Sequence, residues 1–167
     1  MVINLRRFAT HTAVAAVVCA TSIALNPTSL DAQGPTPLAD RIRGARAVVV
    51  AAVSSVEASW KENSFGDKLI VSRVHLHVEE TLKGNSQPDV ALDVEGGTVD
   101  GVSLHVSSLP MMEPGERAVF MLDDAGGGVF QPHLRGQGIL KLDEKNVVKG
   151  SSLQLDEIRR VAASTRN

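Results

Sequence analysis

The sequence predicts a mainly β domain, a small antiparallel barrel that is closed or nearly closed, with a short helix at either end. Three observations carry this prediction. Short apolar runs recur between Gly- and Pro-rich turns. One of them, Ile70 to Glu79, alternates apolar and polar residues over most of its length. The two helical patterns lie outside the series, one before it and one after it. A β-sandwich is the alternative, since the same strands also suit two facing sheets.

The first helix is expected over Leu38–Arg43, with Thr36 suited to its N-cap, Pro37 to its first turn and Gly44 to its end. From Ala45 the period changes. Val48, Val49, Val50, Val53 and Val56 form a β-branched run that reads as a buried strand ending near Trp60, before a polar turn at 61–67. In the next strand Ile70, Val74, Leu76 and Val78 alternate with Arg73, His75, His77 and Glu79, so one face turns inward and the other meets water. Leu82-Lys83-Gly84-Asn85 closes it. Val90, Leu92 and Val94 alternate with Ala91, Asp93 and Glu95 in a third strand; the glycines of 96–101 make a loop; Val102, Leu104 and Val106 form a fourth strand.

Two prolines mark 110–115 as a loop before the strand Arg117–Leu122. Residues 123–128 read as a hairpin connection too rich in glycine to belong to either neighbour. Val129–Leu134 and Gly138–Leu142 are further short strands, with Asn146–Val148 a candidate last one. Leu155, Ile158, Val161 and Ala162 then share one side of a helix, opposite Asp156, Glu157, Arg159 and Arg160; its early acids and later arginines suit the helix dipole.

Ahead of these elements, Arg6 and Arg7 precede an apolar run from Ala13 to Leu25, and Leu30-Asp31-Ala32 is a tolerable signal-peptidase site, with Ala24 as an alternative cut. The run is shorter than the roughly 20 strongly apolar residues of a membrane span, so cleavage is expected rather than retention as an anchor. Val18 stands where a lipidated cysteine at Cys19 would want a small residue. Beyond Arg6-Arg7 the rest of a twin-arginine pattern is missing. The expected organisation is a signal over 1–32, a leader and short helix over 33–44, the β domain over 45–150, and a C-terminal helix and tail over 151–167. The expected location is the periplasm or the exterior, with no stable membrane span after cleavage.

Cys19 is the only cysteine and lies in the expected signal, so the exported chain would have none. That excludes disulfides, thiol catalysis and cysteine-based zinc sites, and leaves packing to hold the fold. The net charge is −2 at pH 7 and becomes more acidic once Arg6, Arg7 and Asp31 are removed. Such a balance gives no general attraction for nucleic acid or anionic membrane. Tyrosine is absent and Trp60 is the only tryptophan, so the flat aromatic platforms used for sugars and single strands are scarce.

The order Ala45-Arg46-Ala47-Val48-Val49-Val50, then Val78-Glu79-Glu80-Thr81-Leu82-Lys83-Gly84, then Gly96-Gly97, then Pro110 and Pro114-Gly115-Glu116-Arg117 resembles a group of exported bacterial domains. Those domains are similar to the barrels of the tissue-inhibitor-of-metalloproteinases and netrin-module type, which have the oligonucleotide/oligosaccharide-binding (OB) topology. The resemblance spans roughly Ala45 to Leu142 and implies an OB-like barrel. In the inhibitor family an N-terminal cysteine, held by a disulfide, sits on the protease zinc. No cysteine is left here to carry that role, so no inhibitory residue transfers.

Candidate chemistry is sparse. His75 and His77 project from the same side of one strand at a spacing that suits zinc or copper, with His105 or His133 as candidate third ligands. The competing reading is a solvent-facing barrel wall. Asp93 with Glu95, and Asp123 with Asp124, are carboxylate pairs without calcium-loop spacing. Gly126-Gly127-Gly128 lacks the Lys-Ser/Thr and the helix of a phosphate cradle, and reads as a flexible turn. Met111 and Met112 offer either an adaptable contact or filling under the barrel rim. Gly-x-Ser-x-Gly and His-Glu-x-x-His are both absent.

No residue is therefore assigned a catalytic, cofactor-binding or metal-binding role, and no cofactor is implied. The expectation is a non-enzymatic binding or interaction module whose partner is an extracytoplasmic protein, with no nucleic acid. Its contacts are expected on the loops 96–101, 110–115 and 126–128. The alternatives are a metal-assisted hydrolase using His75 and His77, and a protease inhibitor acting through a cysteine-independent surface.

Overall fold

Eight strands account for about half of the computed structural model, which describes residues 34–63 and 65–165. They are β1 (Ala47–Glu62), β2 (Lys68–Lys83), β3 (Asp89–Glu95), β4 (Gly97–Val99), β5 (Val102–Leu104), β6 (Arg117–Gly126), β7 (Val129–Pro132) and β8 (Ile139–Lys141). Helix α1 (Leu38–Gly44) precedes them and α2 (Leu155–Ser164) follows. The expected signal, with Arg6, Arg7, Cys19 and the cut after Ala32, lies outside the described residues.

A six-stranded mixed sheet runs in the order β1-β2-β3-β7-β6-β8, and β6 pairs in addition with β1. The expectation of a purely antiparallel sheet is corrected at one seam. β3 and β7 are parallel, with Ala91 beside Val129 and Leu92 beside Phe130. The reversal between β6 and β7 brings β7 back in the direction of β3, and the long connection through β4, β5 and β6 makes that geometry reachable.

The valine run of β1 reads as continuous rather than alternating because both of its faces are covered there. Val49, Ala51 and Val53 join Leu76, Leu92 and Phe120 in one buried cluster. Val48 and Val50 join Met121, Ile42, Leu155 and Ile158 in a second, so the helices cap the opposite face of β1 and β6. Ile158 and Ala162 are fully buried, as the amphipathic pattern requires.

Several boundaries differ from expectation. Thr36 does not cap α1; Pro37 occupies that position without a side-chain cap, and the Thr36 N–H donates to Gln137 Oε1 at 2.8 Å. The expected loop 96–101 contains β4, which pairs with β5 in a separate two-stranded ribbon, so Val102 and Leu104 do not join the main sheet and Val106 lies beyond β5. Asp100 and Gly101 turn the ribbon in left-handed conformations, φ 51° and 79°. Asp123 to Gly126 belong to β6, because pairing with β7 outweighs the low strand preference of these residues. The expected strand to Leu134 stops at Pro132: Leu134 and Arg135 are left-handed, and a 3-10 turn covers Arg135–Gly138 before β8. Asn146–Val148 makes only single bridges, Leu142 to Val148 and Val147 to Gln154.

Candidate binding face

Alternation along β2 and β3 puts Val74, Leu76, Leu92 and Val94 inside, and Arg73, His75, Ala91 and Asp93 on the opposite face. A groove of about 520 Å³ crosses this second face, lined among others by Phe65, Leu69, Val71, Asp93, Gln131 and Arg135. At one end the β1–β2 turn is held by Asn63. Its Oδ1 accepts the N–H groups of Phe65 and Asp67, both at 2.9 Å, and its backbone N–H donates to the Asp67 carbonyl at 2.9 Å. Phe65, whose backbone N–H is one of these donors, is 88% exposed.

The charges in the groove neutralise one another. Arg73 clasps Asp93 through Nε at 2.9 Å and Nη2 at 3.0 Å, and Lys61 Nζ reaches the same carboxylate at 2.6 Å. Burial alone would push the Asp93 carboxyl up, but hydrogen bonds and charge from Arg73 and Lys61 outweigh it and hold the group below the usual carboxylate range. Arg135 Nη2 bonds Glu95 Oε2 at 2.5 Å across the gap between β3 and the 3-10 turn. Asp93 is thus an anchored anion, unsuited to passing protons near neutral pH.

A larger, more polar cleft of about 870 Å³ is lined by Ser54, Glu57, His75, Asn85, Asp89 and Phe130 among others. His75 and His77 stand on β2 opposite Ala91 and Asp89, and His77 Nδ1 lies 3.0 Å from Asp89 Oδ1. The candidate third ligands are elsewhere engaged or placed: His105 is exposed beyond β5, and His133 Nδ1 is 2.8 Å from Asp123 Oδ2. Among the described residues no group of three or more His, Asp, Glu or Cys side chains is placed to hold a metal ion.

Asp123 and Asp124 do not act as a pair. Asp123 meets His133, while Asp124 Oδ1 accepts the Gly126 N–H at 2.8 Å and shapes the hairpin. Met111 and Met112 divide: the first is 54% exposed and the second is buried in the inner cluster. The clasp of Asp93 by Arg73 and Lys61 was not anticipated from sequence, because it depends on register across β1, β2 and β3. The only available signal was opposite charge on alternating strands. Compared with known protein families and with curated proteins, the chain matches none.

Proposed function

We propose that the protein is an exported, non-enzymatic binding module built on an OB-like barrel, and that it recognises an extracytoplasmic protein through the β2–β3 face. Export is supported by the Arg6-Arg7 pair, the apolar run and the Leu30-Asp31-Ala32 site. The barrel reading is supported by ladders that lead from β1 through β2, β3, β7 and β6 back to β1, with β3 and β7 parallel. In barrels of this kind the β2–β3 face and the turns beside it bind ligands.

The observation that carries the reading is Phe65. An aromatic ring held out to solvent by a clamped turn, beside Leu69 and Val71 and a self-neutralised charge cluster, suits an apolar anchor on a protein partner. The hydrolase reading on His75 and His77 has no third ligand in support among the described residues. Immobilised protein is expected to retain a partner from envelope extract, Phe65→Ala to lose it by at least about tenfold, and Val102→Ala, exposed on the β4–β5 ribbon, to keep it. Unchanged retention by Phe65→Ala would remove this face from consideration. Stoichiometric zinc binding lost in His77→Ala would favour the hydrolase instead.

A further inference from the structure

β1 has two different edges along its length. Over Val48–Ala52 it is laddered on one side to β2 and on the other to β6. Val53 still donates its N–H to Glu116 O and accepts from Gly115 N, both at 2.8 Å. From Ser54 to Glu62 the ladder to β2 continues, while no strand among the described residues pairs with the other edge. An edge of this length offers a row of peptide groups to another strand, and natural domains block such edges with proline, short length or charges that repel. The segment has no proline, and its charges attract a copy of itself.

Laid antiparallel about a two-fold axis at Ser59, Glu57 of one chain falls opposite Lys61 of the other, and the symmetry repeats the pair. Ser59 meets Ser59, and Trp60 meets the small side chain of Ala58. A shift of one residue sets Glu57 against Glu62 or against Trp60, which loses the charge match, so the pattern selects its register. Trp60, 46% exposed on the single chain, gains a cover. We infer that the open edge of β1, from Ser54 to Glu62, is the interface of a homodimer in which the two sheets continue through an antiparallel β1–β1 pair.

The inference does not depend on the binding face, but it bears on it. Glu57 and Lys61 stand opposite Arg73 and Leu69 in the β1–β2 ladder, on the side that carries the groove. Joining the edges therefore places both grooves on one side of a continuous sheet.

Trp60 is the only tryptophan and tyrosine is absent, so its emission reports this edge alone. A concentration series of the purified protein is expected to show molar mass doubling in sedimentation together with a blue shift of Trp60. Glu57→Lys should weaken association by at least about tenfold, because two like-charge pairs then face each other. Lys61→Glu should do the same, and mixing the two variants should restore dimers, since every lysine then meets a glutamate. Lys61→Glu also removes the bond to Asp93; should that chain fail to fold, Glu57→Lys mixed with the unaltered protein carries the test, with an affinity between the two homodimers. A protein monomeric up to about 100 µM, or a dimer that Glu57→Lys leaves unchanged, overturns the inference.

Discussion

The two halves of β1 are one continuous strand with opposite physical roles. Ala47 to Val53 is almost wholly buried, with partners on both edges from Val48 onward and side chains packed on both faces. Ser54 to Glu62 contains no fully buried residue, and among the described residues only β2 pairs with it. The register slips between Val53 and Ser55, where the strand leaves β6. A strand this long is stable at its solvent-facing end because its other end is fixed in the core. The first half supplies that anchorage, and the second is free to present Trp60, Lys61 and, through the turn, Phe65.

The doubly paired half of β1 is most vulnerable at Phe120, which is fully buried and stands beside Val49 in the β1–β6 ladder. Phe120→Ala removes the largest side chain of the inner cluster, and the surrounding strands cannot close over the space. A loss of about 3–5 kcal/mol is expected in urea denaturation. A loss below about 1 kcal/mol would show that the doubly paired half of β1 does not anchor the fold.

How much of this was legible in the sequence follows the same division. The valine run, the alternation of Ile70 to Glu79 and the sided helix at Leu155 were readable because burial imposes a local period on the chain. The end of β6 was not. Asp123, Asp124 and Gly126 have the composition of a turn, and only pairing with Gln131, Phe130 and Val129 makes them strand. Gly97 reads as loop in the sequence, yet it lies in β4, where a Cβ would come within 2.5 Å of Ser72 Oγ; the glycine answers a close approach that only the folded chain creates. The candidate site was the least visible part. Lys61, Arg73 and Asp93 come from three strands, and nothing local says that they meet.

That cluster gives the next effect in size, and it acts at the boundary between the groove and the exposed half of β1. The folded Asp93 carboxyl lies below its ordinary range, whereas the unfolded one titrates near 4. Its contribution is therefore present above the unfolded value and is lost as pH falls from there through the folded value. Asp93→Asn removes the anion from two cations and should cost about 1–2 kcal/mol at neutral pH. It should also flatten the acid limb of the stability curve, only in part, because Glu116, bonded by Lys141, is lowered too. Thermal unfolding from pH 7 down to about pH 3 reads both effects. An acid limb as steep as in the unaltered protein would mean that the clasp does not contribute.

A smaller effect on stability than at Phe120 falls on the exposed half of β1 itself. Trp60 is a large side chain, but nearly half of it meets solvent, so Trp60→Ala gives up only the covered part of its burial: about 1–2 kcal/mol in denaturation, well below the loss at Phe120. If the open edge only tolerates exposure, self-association should survive the change as well. If instead the edge is an interface, Trp60→Ala should cost the folded monomer no more than this while also weakening the dimer, because the lost contact lies across the axis, on Ala58 of the second copy. Folding and association would then separate at this residue, whereas Phe120→Ala would lower both together. That contrast distinguishes a strand end left over from the core from one held out for recognition.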